Sequence, residues 1–379
     1  MAVFHIISPE YPPQIGGVAD YTRQVALGLV TRGDRVHVWS PAVNDAEPPD
    51  AGVESHRVSG DFGPRTLAAL GRGLDAAGPG QILVQYVPQG FGMKGMNLPL
   101  CLWLFTRHRT DITIMFHEVA VALAWRQPMR HNVIGTVNHA MAFVLTRAAH
   151  RCFVGAAAWE PRLRRLAPAK AMISWLPVPS NVPVVDDTAG VLAVRQALLS
   201  GDGIIFGHFG TARETWIAAQ LAAVVPPLLR QRPDAAFLLV GRDSLGLRSR
   251  LLLGAPELHA RIRATGPLAP ADISRNLCAC DLMLQPYGDG VSTRRTSLMA
   301  ALAHRRPVVT TAGAFTEPLW KQSGAVALVD TGNVAAMRAA LAHLMDDAGK
   351  RARLGAAAGA LYSRRFDIAH TIAALRENC

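Results

Sequence analysis

A chain of 379 residues, 50% apolar and 18% charged, can bury a substantial core, which excludes a disordered segment. Its 33 Gly and 25 Pro follow no period and its Cys number only 5, which excludes collagen, coiled-coil and disulfide-scaffold classes. The 39 basic residues outweigh the 28 acidic ones by +11, which points to an anionic partner: nucleotide phosphates, an anionic membrane face or nucleic acid.

At roughly 150 residues per domain the length suggests two domains. Ala2–Ile7 is a short apolar run that stops at Ser8-Pro9 and reads as a buried strand. A loop through Tyr11-Pro12-Pro13 reaches Gly16-Gly17, and helical spacing follows from Val18 to Val30. Gly33 ends it and Val36–Trp39 is the next strand, so the chain opens as a parallel α/β layer. Gln81–Val87, Thr113–Phe116 and Cys152–Val154 continue the strands, with a long helix expected over His131–Ala149. Met96–Phe105 is the longest apolar stretch; it is too short to span a bilayer and reads as a buried helix. Arg107, His108 and Arg109 follow it directly and would suit a membrane surface.

From Trp175 to Asp187 the chain is Pro-rich and reads as a linker. A second series then runs through strands at Ile204–Gly207, Ala236–Val240, Leu282–Gln285, Pro307–Thr310 and Val326–Val329. Helices are expected at Thr215–Gln231, Asp272–Cys278, Thr296–Ala303 and through most of the tail from Val334. No internal sequence repeat or low-complexity tract is found. The expected fold class is therefore α/β, two doubly wound Rossmann-like domains facing a cleft, with ligands in the loops that follow strands. The expected boundaries are 1–178, a linker at 179–200, 201–360, and a closing helix at 361–379 that packs back toward the first domain.

Cys101, Cys152, Cys278, Cys280 and Cys379 include no C-x-x-C pair, so no zinc or redox motif is expected, and the odd number suits a reducing compartment. Met1–Pro9 has neither a basic n-region nor a long apolar h-region, so a signal peptide is not expected and the location expected is the cytoplasm.

Four constellations could carry chemistry. Gly16-Gly17 lies between a strand and a helix, where glycine permits close approach and free helix amides attract phosphate; a simple tight turn is the plainer alternative. Phe206–Arg213 repeats the arrangement, with Thr211 able to cap and Arg213 able to hold a diphosphate or to stand solvated in the loop. Gly288–Ser297 places Ser292, Thr293, Arg294, Arg295 and Ser297 at a helix start, as an anion site requires. His117-Glu118 closes a strand, where a histidine can serve catalysis or sugar binding. No P-loop, H-E-x-x-H or Ser–His–Asp pattern accompanies these, and no nucleic-acid platform is seen.

Taken together, the pattern resembles glycosyltransferase family four, of GT-B architecture. Tyr11-Pro12-Pro13-Gln14-Ile15-Gly16-Gly17-Val18-Ala19-Asp20-Tyr21 is similar to that family's first glycine loop and helix. Arg32-Gly33-Asp34-Arg35-Val36-His37-Val38 resembles its RGHxVxV ending, and His117-Glu118 its mid-domain HE. Ala301–Val309 resembles AMAxGxPVV, and Arg364-Arg365-Phe366-Asp367 its closing segment.

The resemblance implies metal-independent, retaining transfer from a nucleotide-sugar to a glycan, lipid-linked saccharide or small-molecule acceptor. The nucleotide-sugar would be a co-substrate, with no cofactor and no nucleic acid, and an anionic membrane is a possible peripheral contact. The implied donor set is Gly16, Gly17, Gly210, Thr211, Arg213, Gly266, Leu268, Gly290, Val291, Ser292, Thr293, Arg294, Arg295 and Ser297. The implied acceptor set is Asp20, Tyr21, Tyr86 and Glu118, with His117 and Asp289 in catalytic positions and no metal ligands. The family's Glu, seven residues, Glu pair is not kept: one register gives Ser292 and Ala300, the other Asp289 and Ser297. The cation pair after Gly207 is also incomplete, His208 and Glu214 standing in its places. Arg213, Arg294 and Arg295 are therefore expected to share the diphosphate. A non-catalytic nucleotide-sugar or partner-binding protein is the alternative, and a GT-B epimerase a third reading.

Overall fold

In a computed structural model the chain is described over residues 1–43, 50–59, 61–121, 123–125, 127–199, 201–210 and 215–377. It divides into two compact units, Met1–Val178 with Ile368–Cys379, and Pro179–Asp367.

The first unit contains β1 (Val3–Ile7), α1 (Gly17–Thr31), β2 (Arg35–Pro41), β3 (Val53–Val58), α2 (Pro64–Ala77), β4 (Gln81–Tyr86), α3 (Leu98–Thr106), β5 (Ile112–Phe116), α4 (Met129–Ala148), β6 (Arg151–Val154), α5 (Glu160–Arg164) and β7 (Met172–Trp175). Its strands form one parallel sheet in the order β3-β2-β1-β4-β5-β6-β7. Inner parallel strands are covered on both faces and read as continuous apolar runs, which is why β1, β4 and β5 were legible. The edge strand β3, Val-Glu-Ser-His-Arg-Val, alternates with exposed polar residues and was not. Where a linker was expected from Trp175, that residue instead closes β7, paired to Val154. The expected buried helix around Met96–Phe105 is only half buried: Leu100, Cys101 and Leu104 of α3 face inward, while Leu102 and Phe105 are exposed.

The second unit contains α6 (Thr188–Leu198), β8 (Ile204–Phe209), α7 (Thr215–Gln231), β9 (Ala235–Val240), α8 (Ser244–Leu253), β10 (Ile262–Ala264), α9 (Pro270–Ala279), β11 (Leu282–Gln285), α10 (Thr296–Ala303), β12 (Val308–Ala312), α11 (Pro318–Ser323), β13 (Ala327–Asp330), α12 (Val334–Asp346) and α13 (Ala348–Arg365). Its sheet is parallel in the order β10-β9-β8-β11-β12-β13. Alternate residues of a strand face opposite sides. Phe206, Phe237 and Leu284 therefore pack under α7, α8 and α12, whereas Ile205, Leu238 and Met283 pack under α10 and α13.

Residues 179–200 belong to the second unit and carry α6, whose Arg195 bonds Asp281 and the Ala279 carbonyl. Residues 361–367 also stay there, because Leu361 and Phe366 are buried in its core. Only α14 (Ile368–Arg376) joins the first unit, burying Ile372 and Leu375 against Val25 and Leu29 of α1.

Candidate functional site

Doubly wound sheets bind ligands outside the strands' carboxyl ends, where the strand order reverses. That reversal lies between β1 and β4 in the first unit and between β8 and β11 in the second.

In the second unit β8 runs into Gly210 and β11 into the loop 286–295. Gly210 holds φ 130° and an added Cβ would meet Ser297 at 3.3 Å, so it abuts the first turn of α10. Gly290 holds φ 89°, and a Cβ there would lie 2.3 Å from the Gly313 nitrogen. Glycine is required at 290 by both backbone and contact. The tight loop turns Val291, Ser292 and Thr293 inward, all fully buried. Thr293 donates its amide (3.1 Å) and hydroxyl (2.8 Å) to Glu317 Oε1, and Trp320 donates to Glu317 Oε2 at 2.7 Å. Val291 donates its amide to the Thr311 carbonyl at 2.7 Å. These three expected donor contacts therefore build the loop from inside.

Arg294, Arg295 and Ser297 lie at the half-buried rim. Arg294 donates to Asp289 Oδ2 at 2.6 Å, and Arg295 donates to Asp289 Oδ1. Arg294 also lies over Phe315 and Arg295 over Tyr287, whose hydroxyl is 3.0 Å from Ser297 Oγ. Asp289, expected in a catalytic position, is thus clamped between two guanidiniums. Two guanidiniums thus converge on one carboxylate at this rim. The cluster stands at the start of α10, which has no side-chain cap; the amides of Thr296 and Ser297 find no acceptor among the described residues. Helix amides and the dipole favour an anion there.

Behind this rim lie two buried polar side chains. His208 Nδ1 bonds the Leu284 carbonyl at 2.9 Å, and burial lowers its pKa to about 4, so the ring is neutral at pH 7. Gln285 donates to the Phe209 carbonyl at 3.1 Å. At the next strand ends Gly266, at φ 69°, donates its amide to Ser244 Oγ and bridges to Gly241. A Cβ added at Gly241 would lie 3.5 Å from the Gly210 carbonyl oxygen, so Gly210, Gly241 and Gly266 are close neighbours. Leu268 is half-buried against the same core. Thr211 and Arg213 lie outside the described residues.

In the first unit α1 starts at Gly17, but its N-terminus is already filled. Glu10 Oε1 accepts the amides of Val18 and Ala19, each at 3.0 Å. A Cβ on Gly16 would lie 2.1 Å from that oxygen. Glycine at 16 makes room for the chain's own carboxylate, and the expected phosphate contacts at Gly16 and Gly17 meet a resident anion. Asp20 is exposed. Tyr21, expected at the acceptor, is 2% exposed and packs edge-on to His117 at 4.9 Å. Tyr86 is fully buried between Phe91 and Phe116, and its hydroxyl reaches no surface. Both tyrosines leave the acceptor set for the core. Glu118 is exposed. His117 Nε2 bonds Gln85 Oε1 at 2.8 Å, and burial lowers its pKa to about 4.

Glu10, Gln85, Tyr287 and Glu317 were not singled out from sequence. Gln85 and Gln285 left a signal, each a polar residue interrupting an apolar strand. Glu10 left a weaker one, an acid just past a strand end.

The comparisons bear on this geometry. Residues 203–347, from β8 through α12, match the family described as glycosyl transferases group 1. No curated protein matches the chain in sequence. Among solved structures, the Anabaena protein HepE in complex with UDP and glucose is similar at TM-score 0.71 and 15% identity, covering 100% of this chain and 99% of that one. Sucrose-phosphate synthase from Thermosynechococcus elongatus gives 0.72 and 16%, covering 100% and 98%. WaaG, a glycosyltransferase involved in lipopolysaccharide biosynthesis, gives 0.66 and 13%, covering 100% of both. At these identities the likeness is one of fold, and the fold is GT-B.

Proposed function

We propose that this chain transfers a sugar from a nucleoside-diphosphate sugar to a glycan, lipid-linked saccharide or small-molecule hydroxyl. The observation that carries the reading is the Arg294–Asp289–Arg295 cluster at the uncapped start of α10. It lies within the segment that matches glycosyl transferases group 1. In such a transfer the diphosphate leaves with growing negative charge, and preorganised cations and amides stabilise it most where it develops. Asp289 serves here as a positioning residue that fixes both guanidiniums in advance. Retention at the anomeric carbon and independence of a metal belong to the same proposal, through the motif likeness.

Calorimetric titration of the whole chain with UDP and GDP, with and without magnesium, tests it, followed by turnover of the matching sugar nucleotides. Magnesium-independent binding of one base and transfer with retained configuration support the reading. Binding without turnover of any donor favours the non-catalytic alternative, which the missing Glu pair makes worth separating.

A peripheral contact with anionic lipid fits one face of the first unit. Leu102 and Phe105 of α3 and Met129, Val133 and Phe143 of α4 are exposed, near Arg107, Arg109, Arg130 and Arg147 in sequence. No helix among the described residues is long and apolar enough to cross a membrane. Apolar side chains flanked by cations suit an anionic interface. Sedimentation with phosphatidylglycerol vesicles, but not with phosphatidylcholine vesicles, is the expected result.

A further inference from the structure

The outer edge of the first sheet carries a cluster that the proposed transfer does not use. β2 and β3 pair with His37 opposite Glu54 and Trp39 opposite His56. Period two puts these four side chains on one face of the sheet, the face on which Gly73 of α2 lies against Trp39. His37 Nδ1 is 3.0 Å from His56 Nε2 and 3.4 Å from Glu54 Oε2. The three potential ligand atoms all lie within 4.8 Å of one another.

Those spacings have a chemical meaning. Donors at about 2.0–2.1 Å from a tetrahedral zinc ion sit roughly 3.4 Å apart. Two imidazole nitrogens and a carboxylate oxygen are a known zinc set, with the fourth corner left for water. The Glu54 side chain is 48% exposed and His37 1% exposed, so the cluster opens to solvent on the Glu54 side.

Supporting contacts hold the three groups in place. Arg35 Nε donates to Glu54 Oε1 at 2.9 Å, which leaves Oε2 turned to His37. His5 stacks on His37 at 5.0 Å, and Trp39 lies flat on His56 at 4.0 Å and 12°. Outer contacts of this kind orient metal ligands. By itself the protein satisfies the cluster poorly. His37 Nδ1 faces both His56 Nε2 and Glu54 Oε2 within 3.4 Å, and His37 Nε2 and His5 Nδ1 are buried with no hydrogen-bond partner among the described residues.

We propose that His37, Glu54 and His56 form a binding site for a divalent transition metal of the zinc type that ties edge strand β3 to β2. The ligands occupy the strands themselves, away from the loops after β1, β4 and β5 where the first unit's candidate residues lie. The metal would therefore act on stability rather than on transfer.

The test uses the tag-free full chain, stripped with a chelator and titrated with Co²⁺. One equivalent should bind with the intense visible bands of a tetrahedral site, be displaced by Zn²⁺, and raise the melting temperature. His56→Gln and Glu54→Gln should each weaken binding at least tenfold; both positions are on the sheet edge, so both variants should fold. His108→Gln should leave binding unchanged. A weak octahedral cobalt spectrum, or binding that survives both His56→Gln and Glu54→Gln, overturns the proposal.

Discussion

The two sheets share the order of six strands, and the units differ at the helices that follow a glycine loop at each reversal point, α1 after β1 and α10 after β11. In the first, α1 begins on Gly16-Gly17, and Glu10 already occupies its amides. In the second, α10 begins on Arg295 with no side-chain cap and two guanidiniums alongside. Behind each reversal point lie a neutral histidine and a strand glutamine, His117 with Gln85 and His208 with Gln285. A helix N-terminus is an anion site only when the chain has not supplied the anion itself. On the proposed reading, the diphosphate would meet the start of α10 rather than that of α1.

The largest expected effect tests what builds the second loop. Glu317→Ala would leave the Thr293 amide, the Thr293 hydroxyl and the Trp320 indole without an acceptor in the core. A loss of about 3 kcal/mol or more is expected, since each stranded buried donor costs roughly 1–3 kcal/mol. Denaturant unfolding reads it, and wild-type stability would mean the loop does not depend on this carboxylate. Next, Arg294→Ala should weaken nucleoside-diphosphate binding about ten- to a hundredfold, as losing a charge-assisted bond costs roughly 1.5–3 kcal/mol. Unchanged calorimetric affinity would remove the cluster from the donor site and erase the contrast between the units.

The paired histidines give a pH prediction. His117 and His208 have folded pKa values near 4 against 6.5 for the free side chain. Above pH 6.5 they are neutral in both states and contribute no pH dependence. As pH falls from 6.5 toward 4 the unfolded chain takes up protons first. Stability is then lost by up to about 1.4 kcal/mol per pH unit for each histidine. His208→Gln should flatten that acid limb in unfolding experiments; an unaltered slope would show that its ring already titrates normally in the folded state. The smallest effect belongs to Glu10→Ala. Loss of the cap should destabilise by about 1 kcal/mol. Without its resident anion the α1 end becomes free, so UDP affinity that rises on this change would return the first glycine loop to the donor site. Unchanged affinity would sharpen the contrast drawn above.

Much of the architecture was legible because burial imposes periodicity. Inner strands such as β1 and β11 are apolar except for one residue each, and the helices Thr215–Gln231 and Thr296–Ala303 were read at their observed ends. The edge strand β3 and three-residue β10 were not, since edges are half solvated and short strands carry little pattern. The two units repeat one strand order without any sequence repeat, because many apolar sequences satisfy the same layer packing.

The sequence by itself determined the α/β class, the glycine loops after strands and the place of the Arg294-Arg295 pair. Its order of apolar runs and turns permits little else. Tertiary structure alone decided what each polar residue faces. It drew Tyr21 and Tyr86 into the core, joined Asp289 to two arginines and brought Glu10 to α1. It also gathered His37, Glu54 and His56 across two strands. Such partners lie from five to tens of residues apart in the chain, and which groups a fold brings within hydrogen-bonding distance is set by register and packing, not by local pattern.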